Sequence, residues 1–388
     1  MLPEFDNTEV AFQYRSDKEL KHARFLFSSM SSPMLTSIGI KMTGLALSLH
    51  LPVKSIIKST LFDHFCGGET MEDAAKTAAV ISKYGVNTIL DYGVEGKESE
   101  EDFDKAVPEF IKAIKYASAN KNIPFISLKI TGFAYFSLLD KIHAGYTLSK
   151  DEEAAWKRVY DRIDSICKAA AENQIMVLVD AEESWIQKPV DDLTDMMMER
   201  YNKSKAVVFN TFQLYRHDRL VFLKESYKTA QAKGYQLGAK LVRGAYMEKE
   251  RARAIEKGYP SPIQPSKEAT DKDYDEAALF CVQHLEGLSL FVGTHNEASC
   301  LKVAKAMLDN NIPVNTDKVF FSQLYGMSDN ISFNLSHEGY HVAKYLPYGP
   351  VKDVIPYLMR RAQENTSVAG QTGRELSLIK KEIKRRGI

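Results

Sequence analysis

"DEEAAWKRVYDRIDSICKAAAENQIMVLVDAE", residues 151 to 182, sets two periodicities back to back. Through 151–174 the apolar residues recur at helical spacing, and the segment closes on Asn173, a helix stop signal. From 175 the chain runs Ile-Met-Val-Leu-Val and ends on Asp180 and Glu182. A strand covered on both faces reads this way, because neither side alternates with polar residues. A long amphipathic stretch feeding such a strand is half of a βα repeat, and the fold class depends on how often the unit recurs.

It recurs throughout the chain after residue 85. β-rich runs lie at 87–93 (NTILDYG), 125–132 (FISLKITG), 175–182 (IMVLVDAE), 206–213 (AVVFNTFQ), 238–245 (GAKLVRGA), 288–296 (LSLFVGTHN), 318–326 (KVFFSQLYG) and 341–349 (HVAKYLPYG), with amphipathic stretches such as "NEASCLKVAKAMLDNN" between them. Eight such runs with helical crossovers describe an α/β protein, a TIM-like (β/α)8 barrel. Residues 1–85 read as an additional N-terminal helical segment, 86–375 as the barrel, and 376–388 as a basic C-terminal helix or tail.

Composition excludes several classes of function. Of 388 residues, 51 are basic and 51 acidic, so no net field favours nucleic acid. Cys66, Cys167, Cys281 and Cys300 are scattered without a CxxC, which suits reduced thiols in a cytosol better than a disulfide frame. No window reaches the roughly 18 apolar residues of a membrane span. The acidic start "MLPEFDNTEVAF" lacks the character of a transit peptide, so the expected location is cytoplasmic. The tail "KKEIKRRGI" reads as a solvated helix end. The alternative is peripheral contact with the inner membrane, where each Lys or Arg near an anionic leaflet gains about 1 kcal/mol.

In a (β/α)8 barrel the chemistry sits at the C-terminal ends of the strands. Polar residues stand there on six runs: Asp91 with Glu95, Lys129, Asp180, Gln213, Arg243, and Thr294 with His295. For Asp91 and Asn296 a helix-capping role is an equal alternative. Lys129 is different, since lysine neither caps a helix N-terminus nor suits a barrel interior. "SHEGYH" contains the HExxH pattern of His337, Glu338 and His341, but Gly339 interrupts it and a β-rich run begins at His341, so no metal is assigned. A GxGxxG turn and a P-loop are both absent. "KLVRGAYMEKERARA" offers a phosphate another kind of seat, with Arg243 as a bidentate donor, Gly244 and Ala245 as open backbone, and a helix N-terminus following.

Near the end, "YLMRRAQEN" (357–365) belongs to a closing helix for which Asp353 is the expected N-cap and Pro356 a first-turn residue. Val354, Leu358 and Arg361 share one face, Glu364 lies one turn beyond Arg361, and Arg360 projects about 100° away. These charges form either a solvated cluster or a seat for an anion.

The motifs "SLKITG", "VLVDAEESWIQ", "VFNTFQLY", "AKLVRGAYMEKERARA", "VGTHN", "FSQLYGM", "KYLPYGPV" and "YLMRRAQENTS" together resemble proline dehydrogenase, from about residue 60 to about 370. The resemblance is to the monofunctional enzyme, without the aldehyde dehydrogenase domain of bifunctional relatives. It implies FAD as cofactor, oxidation of L-proline to Δ1-pyrroline-5-carboxylate with hydride passing to flavin N5, and a membrane quinone as electron acceptor. By the same resemblance Lys129, Arg360 and Arg361 hold the proline carboxylate, Glu364 pairs with Lys129, and Asp180 borders the substrate and supports the lysine. Leu324 and Tyr345 pack against the proline ring, with Ala245 and Tyr246 completing the wall. Gln213, Arg243, Gly244, Ala245, Thr294 and His295 match flavin contacts, and Glu95 matches a gate that pairs with a clamp arginine. Lys240 stands where many bacterial members place an arginine beneath flavin N5, keeping the charge and losing the planar fork. Two readings from other classes remain: a Schiff-base lyase using Lys129, and a barrel that only binds an amino acid.

Overall fold

A computed structural model of the chain describes residues 2–31, 57–92, 98–367 and 371–388, with side chains left aside at 362–372. Eight parallel strands close into a barrel in chain order: β1 Val86–Tyr92, β2 Phe125–Leu128, β3 Met176–Val179, β4 Val208–Gln213, β5 Leu237–Val242, β6 Leu288–Gly293, β7 Val319–Leu324 and β8 Val342–Tyr348. Each predicted run overlaps one strand, with β1 and β5 starting one residue earlier than read, and β2, β3, β4 and β8 are buried along nearly their whole length, as the continuous apolar runs require.

The opening stretch folds as its two periodicities dictate. The helix Lys150–Glu172 starts at Ser149, whose hydroxyl accepts from the Glu152 N–H while the Glu152 carboxylate accepts from the Ser149 N–H. This capping box satisfies two N-terminal donors that the helix itself cannot. Asn173 is the C-cap, Gln174 turns the chain in the left-handed region at φ 58°, and β3 begins at Met176.

By contact the chain divides into two compact units, residues 96–322 and residues 3–95 with 323–388. In the first, Phe125 of β2 meets Phe291 of β6 at 5.1 Å and Phe320 of β7 at 4.8 Å, both edge to face. These strands are not neighbours, so the rings can meet only across the barrel interior. Aromatic pairs of this geometry add about 0.5–1.5 kcal/mol beyond the area they bury, and they fill the barrel beneath its C-terminal rim.

In the second unit, β1 pairs with β8 from Val86↔Val342 to Tyr92↔Tyr348. Its apolar core joins Ala11, Phe12, Leu20 and Phe27 near the N-terminus to Val354 and Leu358 of the closing helix and to Leu378, Ile379 and Ile383 of the last helix, Gln371–Arg386. The basic tail is therefore packed on one face through Leu378, Ile379 and Ile383, while Lys380, Lys381, Lys384 and Arg385 remain exposed. Arg386 donates to the Phe12 and Arg15 carbonyls, both at 2.9 Å, and pairs with Glu382 at 2.7 Å and Asp17 at 3.0 Å. Among the described residues no helix is long and apolar enough to cross a membrane.

The closing helix differs from expectation at its start. It spans Val351–Ser367, and the Pro350 carbonyl accepts from the Asp353 and Val354 N–H groups, so Asp353 lies inside the first turn and does not cap it. Pro356 consequently stands within the helix, where its missing N–H deprives the Lys352 carbonyl of a partner. The rigid Tyr-Gly-Pro step that ends β8 sets the start earlier than the capping signal did.

A charged cluster lies inside this unit. Asp329 accepts from Tyr14 Oη at 2.8 Å and Arg15 Nε at 3.0 Å and pairs with Lys344 Nζ at 2.9 Å. Next to it the buried Glu375 accepts from the Ser328 N–H, and Ser328 occupies the left-handed region at φ 50°. Burial first, then the negative charge of Asp329, pushes the Glu375 carboxyl up to about 7. An unfolded glutamate titrates near ~4.3, so the folded state holds this proton more tightly. The group favours folding below the unfolded value, and that contribution is lost as pH rises through about 7. Glu375→Gln, which keeps the acceptor for Ser328, is expected to flatten the decline of Tm between about pH 5 and about pH 8. A variant whose Tm falls as steeply as the parent's would exclude Glu375 from this role.

Candidate active site

The C-terminal ends of β2, β3 and β5 bring three charges together. β2 stops at Leu128; Lys129 is still extended and immediately precedes the 3-10 turn Ile130–Gly132, which takes the chain out of the ladder. Asp180 follows β3, its N–H donating to the Leu128 carbonyl at 2.9 Å, which fixes it beside the lysine strand. Lys240 lies in β5 with its side chain 6% exposed. Asp180 Oδ1 accepts from Lys240 Nζ at 2.5 Å, and Asp180 Oδ2 stands 3.6 Å from Lys129 Nζ. One carboxylate thus meets two ammonium groups, and the Lys129 side chain, 22% exposed, is the more accessible of the two.

A few residues further on, the buried Glu182 takes the Thr131 hydroxyl on both carboxylate oxygens, at 2.9 and 2.8 Å. Burial pushes Glu182 up to about 7, and the charge of Lys129 opposes that rise. Gln213, at the end of β4, donates from Nε2 to the Glu182 carbonyl at 3.0 Å, while its Oε1 is buried with no hydrogen-bond partner. An orphaned buried acceptor costs about 1–3 kcal/mol, a cost that a donor brought to that point would remove.

Beyond β5, Arg243 is fixed by Asp271 at 2.7 Å, Thr294 Oγ1 at 2.6 Å and Ser299 Oγ at 3.0 Å, with the Tyr274 ring 4.4 Å beneath it. Gly244 and Ala245 are exposed, and Tyr246 begins the helix Met247–Lys257. Gly244 takes φ +138°, and a Cβ there would come within 2.4 Å of the Tyr215 ring. Both the conformation and the space demand glycine. His295 is half-buried next to Thr294, and Asn296 caps the helix Glu297–Asp309 by accepting from the Ser299 N–H at 3.1 Å. Of the two readings open for Asn296, capping is the one the structure adopts.

The other unit carries the remaining candidates. Tyr345 of β8 is 8% exposed, and its carbonyl accepts from the Tyr325 N–H at 2.8 Å, which ties it to the segment following Leu324. Arg361 is buried in line with Val354 and Leu358, its guanidinium 5.3 Å over the Tyr357 ring, and Arg360 is less covered. The helical phase read from the sequence therefore holds. Glu95 lies outside the described residues, as does the side chain of Glu364. His337 ends the helix Asp329–His337 and Gly339 takes φ +86°, so the HExxH residues do not share a helical face.

Two buried charges escape a reading by motif. Glu182 looks like one more acidic residue in "VDAEES", and only its position two residues past Asp180 marks it. Lys344 sits in mid-strand within "HVAKYLPYG" and is fully buried. Like Lys129, it is a lysine where a barrel strand should be apolar.

The family model described as proline dehydrogenase matches residues 74–374. Among similar curated proteins, the carbapenem antibiotics biosynthesis protein CarD of Pectobacterium carotovorum is 33% identical, over 86% of this chain and 85% of its own length. Proline dehydrogenase 1 of Dictyostelium discoideum, a mitochondrial protein, is 31% identical over 88% of this chain and 67% of its own. Hydroxyproline dehydrogenase of Xenopus laevis is 31% identical over 97% and 88%. Among solved structures, proline utilization A (PutA) from Bdellovibrio bacteriovorus, inactivated by N-propargylglycine, superposes with a TM-score of 0.73 at 19% identity over 97% of this chain. The match spans 38% of that longer chain, and at this identity it speaks to the barrel fold alone.

Proposed function

The chain belongs to the proline dehydrogenase family and is an enzyme of proline oxidation; on that footing we propose that it converts L-proline to Δ1-pyrroline-5-carboxylate with bound FAD and passes the electrons to a membrane quinone at the cytoplasmic face of the inner membrane. The observation that carries the reading is the Lys129–Asp180–Lys240 constellation at the C-terminal ends of three barrel strands.

The residues fit a flavin. The orphaned Gln213 Oε1 suits an imide N–H, the open Gly244–Ala245 backbone before a helix N-terminus suits phosphate, and Arg243 with Thr294 and His295 suits the remainder of the dinucleotide. A flavin held there supplies a two-electron acceptor, the chemistry that side chains cannot provide. Lys240 keeps a positive charge in the place where many family members have arginine, and Asp180 fixes its direction.

For the substrate, Lys129, Arg360 and Arg361 receive the carboxylate. Leu324, Tyr345, Ala245 and Tyr246 bound the ring. Oxidation removes a hydride from the ring carbon next to nitrogen and a proton from nitrogen, and the C–N bond becomes C=N. The carboxylates among these cations keep the site near neutral, so the amine can react uncharged. Purified protein should be yellow or become so on reconstitution with FAD, and should then reduce a soluble quinone analogue only when proline is added. Colourless protein that takes up no FAD would end this reading and favour a Schiff-base role for Lys129.

The size of Tyr345 bears on specificity, because a ring hydroxyl needs room that this buried side chain fills. Proline is expected to be preferred over trans-4-hydroxyproline. Tyr345→Ser is expected to move the ratio of kcat/KM values toward hydroxyproline by about tenfold, the scale of a pocket-size effect. An unchanged ratio would place Tyr345 away from the ring.

A further inference from the structure

We propose that Lys344 is a positioning residue for the substrate ring, a role that rests on the assignment of Leu324 and Tyr345 to the ring pocket. Its ammonium group has three donors. In the structure it meets three oxygens: the Met327 carbonyl at 2.5 Å, Asp329 Oδ1 at 2.9 Å and the Leu324 carbonyl at 3.4 Å. Lys344 immediately precedes Tyr345 in β8, and strand alternation sends the two side chains to opposite faces. The Tyr345 carbonyl in turn accepts from the Tyr325 N–H at 2.8 Å. The turn carrying Leu324 is thus sewn to β8 by side-chain bonds from one residue and a main-chain bond to the next.

A fully buried lysine is costly to desolvate, and its Asp329 partner only offsets that cost. A barrel strand that merely needed packing would carry an aliphatic residue there. What the lysine provides beyond packing is a direction, since two carbonyls two and five residues before Asp329 are pulled toward one point. The hold extends outward. Asp329 is itself fixed by Tyr14 at 2.8 Å and Arg15 at 3.0 Å from the N-terminal segment, and the adjacent Ser328 N–H donates to Glu375 of the last helix. A turn near the N-terminus and the last helix thereby brace the turn that follows Leu324.

The test uses the flavin-loaded full chain with proline, trans-4-hydroxyproline and the flavin content of each variant. Lys344→Met is expected to raise KM for proline about tenfold while kcat and flavin content stay within about twofold, and to narrow the discrimination against hydroxyproline, because a loosened ring wall weakens ring binding without touching the reacting atoms. Tyr14→Phe, which removes one donor from Asp329 and no charge, is expected to shift KM in the same direction by about two- to threefold and keeps the proposal testable should Lys344→Met fail to fold. Equal losses of kcat and flavin with unchanged KM, or an unchanged KM in Tyr14→Phe, would show that the cluster only stabilises the fold and would overturn the proposal. A parent protein that binds FAD but does not oxidise proline would instead overturn the assignment of the ring pocket.

Discussion

Asp180→Ala is expected to lower kcat/KM for proline by about 100-fold while leaving the barrel folded, an effect of roughly 3 kcal/mol, at the low end for breaking a buried ion pair. The low end is appropriate because Asp180 is 16% and Lys129 22% exposed, so water screens part of the loss. Without the carboxylate, Lys240 loses the partner at 2.5 Å that aims it, and Lys129 loses the one at 3.6 Å. Two ammonium groups then stand close together in partly buried surroundings without the anion that offsets their repulsion. Asp180→Asn keeps the shape and removes the charge, so it separates electrostatic support from packing and should show most of the same loss. Steady-state kinetics with flavin content measured in parallel would check this. A variant of normal flavin content and near-normal kcat/KM would mean that the carboxylate has no part in the site.

Arg361→Met is expected to raise KM for proline about 10- to 100-fold with FAD still bound, since one charge-assisted hydrogen bond to a carboxylate contributes about 1.5–3 kcal/mol. Methionine retains the buried packing beside Val354 and Leu358, so the loss isolates the charge. Arg360 is less covered, and Arg360→Met divides the work between the two. If Arg361→Met leaves KM unchanged while Arg360→Met raises it, the clamp belongs to Arg360 and the buried arginine serves the helix.

The strands were readable because a parallel barrel buries both faces of each, so eight apolar runs stand out without alternation to decode. Their ends were less readable. The run at 125–132 continues four residues past the last residue of β2, because the Lys129 turn is followed by the buried Ile130 and Phe133. Lys129 announced itself as a lysine where neither capping nor packing wants one. Lys240 was legible only through the family resemblance, since its place beside Asp180 depends on a neighbour 60 residues away in sequence. The same distance problem hid the terminal clamp more completely. Arg15 and Asp329 are 314 positions apart, and nothing local to "KKEIKRRGI" tells that its arginines will meet the carbonyls and carboxylates of the N-terminal segment. The closing helix was misplaced at its start for a local reason: Asp353 is a fair capping residue, but the Pro350 step before it had already begun the turn.

The barrel is expected to hold a flavin against proline and to oxidise it. Anaerobic titration of the FAD-reconstituted protein with L-proline, followed through the visible flavin band, tests it most directly. The account predicts progressive bleaching to the reduced flavin with saturation in proline, and recovery of the band when a quinone is added. A flavin spectrum that merely shifts, or does not change at all, as proline is raised to saturation would show a binding protein and contradict the account.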